Sequence, residues 1–284
     1  MPRIDAEWET WLATNVGRGC SMESIIESML QAGFERHIAQ AAVQKAVSGT
    51  ESDTLQPSTL ATPGGYTYDP SPVADGNVIH AHDRDVGVLM RCERPQIMVF
   101  RDVLSSAECA EIIERSRHRL KRSTIVDPET GREDVIRNRT SEGIWFQRGE
   151  DEFIERLDRR IACLMNWPVE NGEGLQVLHY NTGGEYRPHF DYFPPTQAGS
   201  GAHTASSGQR VATLIVYLND VPNGGETIFP AAGISVSATQ GCALYFRYLN
   251  GLRQLDPLTL HGGTPVLTGD KWIMTKWVRE RAYI

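Results

Sequence analysis

Three residues suggest a metal centre: His189 and Asp191, separated by a single residue, and His261, 70 residues beyond Asp191. Alternate side chains of a β-strand point the same way, so the imidazole and carboxylate of His189-Phe190-Asp191 are expected on one face. A distant histidine completes a two-histidine, one-carboxylate facial set only where the fold brings a second strand alongside, as a jelly roll does. Such a set suits Fe(II) and leaves three coordination positions open, two for a chelating 2-oxo acid and one for O₂. Lys271 stands ten residues after His261, at the start of a segment rich in Trp and Ile. A lysine inside an apolar barrel needs an anionic partner, because an unpaired buried charge is costly. The distal carboxylate of 2-oxoglutarate meets that need. A lone H-x-D pair is a weak signal, and the downstream His and Lys in strand-like surroundings make it specific.

These ligands need strands to carry them. Beyond residue 172 the chain breaks into the short runs LQVLHY, RVATLIVYL, ETIFP, ISVSA, CALYFRY and KWIMTKWV, separated by Gly and Pro. That texture predicts a β-sandwich or barrel. Earlier, Gln96-Ile97-Met98-Val99-Phe100 reads as a strand, and Ser105-Ser106-Ala107-Glu108 as a capping box opening a helix. A second helix over 151–164 gathers Phe153, Ile154, Leu157 and Ile161 on one face. The expected fold is mainly β with flanking helices (α+β), a double-stranded β-helix (jelly roll) over 95–284.

Residues 51–94 read as linker and connecting segment, since the Ser, Thr, Pro, Gly and Asp of 48–75 cannot bury much surface. Residues 1–50 predict a small helical bundle, with Trp8, Trp11 and Leu12 on one helix. Ile25, Ile26, Met29 and Leu30 lie on a second, between Ser21 and Gly33, and a third spans 35–47. Its compact spacing resembles ubiquitin-associated-type bundles, and a protein partner for it is left open.

Composition excludes some classes. The net charge of −8 argues against broad nucleic-acid binding, which needs a basic surface. Five scattered cysteines without a C-x-x-C pair suggest neither a disulfide framework nor structural zinc. The N-terminal MPRIDAEWETW lacks the features of a signal peptide, and the apolar run 211–218 is too short for a bilayer. No membrane contact and a cytoplasmic location are expected.

The segments LQVLHYNTGGEYRPHFDYF, GQRVATLIVYLNDVPNGGETIFP and LHGGTPVLTGDKWIMTKW resemble the catalytic domain of prolyl 4-hydroxylases of the alpha-subunit type, as does IRNRTSEGIWF at 136–146. The resemblance covers about residues 95 to 284. It implies that His189, Asp191 and His261 bind iron, that Lys271 and Tyr180 hold the 2-oxoglutarate tail, and that Tyr186, Arg210 and Trp277 line a peptide groove. It further implies hydroxylation of a prolyl residue in a peptide or protein, with O₂ as cosubstrate, release of succinate and CO₂, and ascorbate as a rescuing reductant. Plant and algal members often carry His two residues after that Trp, whereas Val278-Arg279 follows here. This departure bears on substrate more than on reaction.

Plainer readings stand beside these. Tyr180 and Tyr186 suit half-buried strand aromatics, Trp277 suits the core, and Arg210 suits a cap at the barrel mouth. His179 faces away from Tyr180, and His80-Ala81-His82-Asp83 reads as a solvated loop. The same scaffold also fits hydroxylation of a free amino acid or other small molecule, or a non-catalytic cupin-like metal sensor or adaptor. The polar stretches 121–137 and 194–209 are candidate lids.

Overall fold

The computed structural model describes Ile4, Trp8, Leu12 and residues 22–48, 65–122, 125–126, 133–134, 140–197 and 199–284. The chain divides into two compact units, Met1–Leu60 and Ala61–Ile284. In the first, helices α1 (Met22–Gln31) and α2 (Arg36–Ser48) are joined at Gly33, whose φ of 89° favours glycine. Ile25, Met29, Phe34, Ala39 and Val43 are buried together with Leu12, and Trp8 meets Phe34 edge-on at 4.8 Å. Trp11, most of the expected first helix, and residues 51–64 lie outside the described residues.

The second unit begins with strands β1 (Val78–Ala81), β2 (Arg84–Glu93) and β3 (Gln96–Arg101), followed by helix α3 (Ser106–Arg117). Next come β4 (Lys121–Arg122), β5 (Glu142–Phe146) and helix α4 (Glu152–Met165). The remaining elements are β6 (Leu175–Tyr180), β7 (Tyr186–His189), the short α5 (Ser200–Thr204), β8 (Arg210–Tyr217), β9 (Thr227–Phe229) and β10 (Ile234–Val236). Strands β11 (Ala243–Arg247), β12 (His261–Gly263) and β13 (Lys271–Arg279) follow, and the short strands Asn223–Gly224 and Val266–Thr268 pair with each other. A large antiparallel sheet runs β1-β2-β3-β11-β8-β13-β6-β5-β4, and a smaller one β10-β9-β12-β7.

Period-two alternation explains the layering. Val177, Leu214, Val216, Tyr245, Trp272 and Met274 turn to one side of the large sheet, where α3 and α4 contribute Ile112, Ile154, Leu157 and Ile161. Their neighbours Leu178, Ile215, Tyr217, Leu244, Phe246 and Ile273 turn to the other side and pack with Phe229 of the small sheet. The large sheet is thus covered by helices on one face and by the second sheet on the other, consistent with a jelly roll. The helices start where their caps predict: Ser105 and Glu108 form a capping box, and Asp151 caps α4.

One expectation is corrected. Residues 78–93, read as part of a connecting segment, form the β1–β2 hairpin at the edge of the large sheet. Residues ahead of it are also packed: Tyr66 and Val73 are buried, Tyr68 donates to Asp256 at 2.7 Å, and Arg247 pairs with Asp69 at 3.1 Å. An edge hairpin buries only one face, here Ile79, Ala81 and Val86, so its charged residues gave the sequence a loop-like look.

Candidate active site

The small sheet brings the distant histidine home. His261 of β12 sits in register opposite His189 of β7. Strand β7 ends at His189, so Asp191 lies in the bend just beyond rather than on the strand itself. The carboxylate still meets both rings: its oxygens are 3.5 Å from His189 Nε2 and 3.6 Å from His261 Nε2. One ligand atom from each residue falls within 4.8 Å of the others, the one such His/Cys/Asp/Glu cluster found among the described residues.

The orientation of each ring follows from its other nitrogen. His189 Nδ1 lies 2.9 Å from the Arg187 carbonyl and His261 Nδ1 3.0 Å from the Thr259 carbonyl. A carbonyl only accepts, so each Nδ1 carries the proton and each Nε2 presents its lone pair to the cluster. Burial pushes the His261 imidazole down to about 4, which keeps it neutral near pH 7. Burial opposes ionisation of Asp191, but His261, His189 and Arg210 outweigh it and hold the carboxyl below its ordinary range. Thr213 of β8 donates to Asp191 Oδ2 at 2.7 Å, and Tyr186 stacks on His189 at 3.6 Å between ring centres. Two imidazoles with Nε2 turned inward and one carboxylate, each oriented from behind, form a donor set that fits Fe(II).

Lys271 opens β13 in register with Tyr180 of β6, and both are buried. It lines the same cavity, of about 610 Å³, as His189, Asp191 and His261. Its ammonium makes no hydrogen bond and no ion pair among the described residues. Its nearest aromatic neighbours are Tyr180 at 5.7 Å and Tyr217 at 5.9 Å. Burial lowers its pKa to about 8, with Glu226 opposing. A buried cation with no hydrogen-bonded or ion-paired partner among the described residues, lining the same cavity as a metal-binding cluster, fits a dicarboxylate ligand such as 2-oxoglutarate.

At the other wall, Arg210 holds Glu173 through Nε at 2.7 Å and Nη2 at 2.8 Å, and its Nη1 donates to the Asp191 carbonyl at 3.2 Å. Its guanidinium lies 4.1 Å from the Trp277 ring centre. Arg210 is therefore a strut between the metal-binding bend and the aromatic wall, and more than a cap. Trp277 is 7% exposed and lines the cavity, with a buried indole N–H that has no hydrogen-bond partner among the described residues. Trp145 of β5 stands 5.6 Å away and is 42% exposed, so the cavity reaches the surface there.

His179 points to the helix side, where it stacks on Trp272 at 4.2 Å and meets Asp270 at 2.9 Å. His80 and His82 do not assemble a site: His80 pairs with exposed Asp85, and His82 occupies the β1–β2 turn with φ 61°. Of the two candidate lids, 194–209 contains α5 and lends Ser200 and His203 to the cavity. Most of 121–137, like residues 136–139 of the IRNRTSEGIWF segment, lies outside the described residues.

The sequence reading missed Glu173, Arg279 and Thr213. Arg279 was within reach, since 271, 273, 275, 277 and 279 share one face of β13 by alternation. Thr213 had a signal as the one aliphatic hydroxyl within the apolar run 211–218. Glu173 precedes its strand and had none.

A family description of the 2OG-Fe(II) oxygenase superfamily matches residues 175–279. The chain is 40% identical over 208 residues to "Probable prolyl 4-hydroxylase 3" of Arabidopsis thaliana, covering 66% of this chain and 71% of that protein. It is 37% identical over 189 residues to "Prolyl 4-hydroxylase subunit alpha-1" of Rattus norvegicus, covering 66% of this chain and 35% of that protein. The fold is similar to the crystal structure of the viral collagen prolyl hydroxylase of Paramecium Bursaria Chlorella virus-1 in its 2-oxoglutarate complex. That match has a TM-score of 0.51 and 28% identity, over 64% of this chain and 95% of the other. With the His-Asp-His cluster in place, these likenesses show that the chain belongs to the prolyl 4-hydroxylase family of Fe(II)- and 2-oxoglutarate-dependent dioxygenases.

Proposed function

We propose that this dioxygenase hydroxylates a prolyl residue of a peptide or protein, with His189, Asp191 and His261 holding Fe(II) and Lys271 and Tyr180 holding the distal carboxylate of 2-oxoglutarate. The observation that carries the reading is that the three-residue cluster and a buried lysine, with no ion pair among the described residues, line one cavity. Bound iron and 2-oxoglutarate supply oxidative decarboxylation to succinate and CO₂ coupled to hydroxylation.

The chain's own residues orient and exclude. The Nδ1 protons of His189 and His261 are held on backbone carbonyls, which fixes both Nε2 lone pairs inward. Thr213 restrains Asp191, leaving it an anion that offsets part of a dication's charge. Phe229 and Phe246 flank His261 at 5.7 and 4.5 Å and keep water from that side. Tyr186, Trp277 and Arg210 form the wall against which a proline ring is placed, and the exposed Trp145 beside them favours an extended chain over a fully enclosed small molecule.

Ascorbate as the reductant that restores oxidised iron, a cytoplasmic location, and capture of a protein partner by the N-terminal unit complete the proposal. The test is succinate formation with Fe(II), 2-oxoglutarate and a panel of proline-containing peptides, with hydroxyproline read by mass spectrometry. His189→Ala, Asp191→Ala and His261→Ala should each abolish it. Wild-type turnover in any of the three would sink the assignment of the iron ligands.

A further inference from the structure

The charges at the aromatic end of the cavity do not balance. Glu173 is buried and receives three hydrogen bonds, two from Arg210 and one from Arg279 Nε at 2.6 Å. Arg279 is 4% exposed and lines the cavity. Its Nη1 donates to the carbonyls of His203 at 3.0 Å and Gly208 at 2.8 Å, while Phe193 and Tyr283 pack against the guanidinium at 5.0 and 5.6 Å. These contacts use Nε and Nη1, and Nη2 has no hydrogen-bond partner among the described residues. The neighbouring acid, Glu280, is committed to Arg253 and to the Gln209 N–H. Asp191, the other carboxylate on this wall, accepts from Thr213 and belongs to the iron-binding cluster, where its charge offsets that of the metal.

Two guanidinium groups therefore share the one carboxylate here that is not in the iron-binding cluster, and with Asp191 set against the metal a positive charge is left over on a largely buried wall. Arginine does not shed its proton to escape that cost, so the wall favours any ligand that brings a negative charge. We propose that Arg279 is a specificity-determining residue: its Nη2 pairs with the side-chain carboxylate of an Asp or Glu flanking the target proline. The enzyme thereby selects acidic proline-containing segments. This rests on the peptide-hydroxylase reading above and adds the chemistry of the neighbouring residue.

The test uses full-length wild-type enzyme and short peptides blocked at both ends, so that side chains supply the only variable charge. Each carries one central proline, with Glu, Gln or Lys placed in turn at each neighbouring position. The expected result is kcat/KM about tenfold higher for Glu than for isosteric Gln at one position or two adjacent ones, with Lys below Gln. Arg279→Gln should bring the Glu-to-Gln ratio close to one, and Arg279→Lys should restore part of it. Equal rates for Glu and Gln peptides at every position in the wild type would overturn the inference, even if the variants do not fold. It would also fall if Arg279→Gln slowed both peptides alike. Turnover of no peptide at all would overturn the peptide reading and this inference together, whereas turnover without charge preference would overturn only the latter.

Discussion

Asp191 is the single anionic member of the iron-binding cluster, and one hydroxyl governs how it is presented. Thr213 donates to its Oδ2 and also lies 3.2 Å from the Tyr248 hydroxyl. Thr213→Val keeps the side chain's shape and deletes the donor. Groups that orient a metal ligand typically contribute ten- to a hundredfold in affinity, so this variant should weaken Fe(II) binding by about that factor with little change in secondary structure. Titration of the apo protein with Fe(II), followed by circular dichroism, checks both halves. Lys271 gives a second prediction, in pH. Burial brings its pKa to about 8 against an ordinary 10.5, so as pH rises through about 8 the free enzyme loses the cation that 2-oxoglutarate needs. KM for 2-oxoglutarate should climb above that pH in the wild type. Lys271→Arg, weaker from the start because its geometry differs, should show no such rise. For stability the sign is opposite: between about pH 8 and 10.5 the unfolded chain binds the extra proton, so the ligand-free fold gains stability with pH across that window. A flat KM profile in the wild type would remove Lys271 from the 2-oxoglutarate site.

What positions Lys271 is the start of β13, and here one side chain acts on both of its neighbours. Asn219 donates through Nδ2 to the Asp270 carbonyl at 2.9 Å and accepts at Oδ1 from the Trp272 N–H at 2.7 Å. Asp270 in turn holds His179 and the Trp272 indole. Asn219→Ala should lower stability by about 1 to 3 kcal/mol, from two lost hydrogen bonds, and raise KM for 2-oxoglutarate more than KM for the peptide. A melting curve with the two Michaelis constants distinguishes this positioning role from general destabilisation, which would move both alike. The elements themselves were legible where both faces of a strand are buried. The runs that became β6, β8, β11 and β13 alternate between two cores and read as strands without help. The β1–β2 hairpin did not, because an edge hairpin with only one buried face carries His80, His82, Asp83, Arg84 and Asp85 around its turn. Nor did the Glu173 bridge: nothing in GEGLQV announces that two arginines from β8 and β13, 37 and 106 residues away, will converge on it.

At the scale of the molecule, every residue proposed for iron, 2-oxoglutarate and substrate lies in the second unit, after residue 172. The first unit has a core drawn from its own residues, Leu12, Ile25, Met29, Phe34, Ala39 and Val43. That core is small, as expected for fewer than about 60 residues, so the unit contributes little stability of its own. Removing residues 1–60 should therefore leave Fe(II) binding, and 2-oxoglutarate turnover on a short peptide, close to wild type. A cut at 75, by contrast, should be destructive, because Tyr66 and Val73 are buried and Asp69 pairs with Arg247. The first unit's role would show on a large substrate: a tethered docking module raises effective concentration, so losing it should raise KM for an intact protein and leave KM for a peptide unchanged. The comparison is of three proteins, full length, 61–284 and 76–284, by thermal melting and by turnover on both substrate sizes. If 61–284 melts many degrees lower and fails on the short peptide, the first unit is part of the catalytic fold. If it matches the full-length enzyme on both substrates, the docking role falls and the division into two units stands.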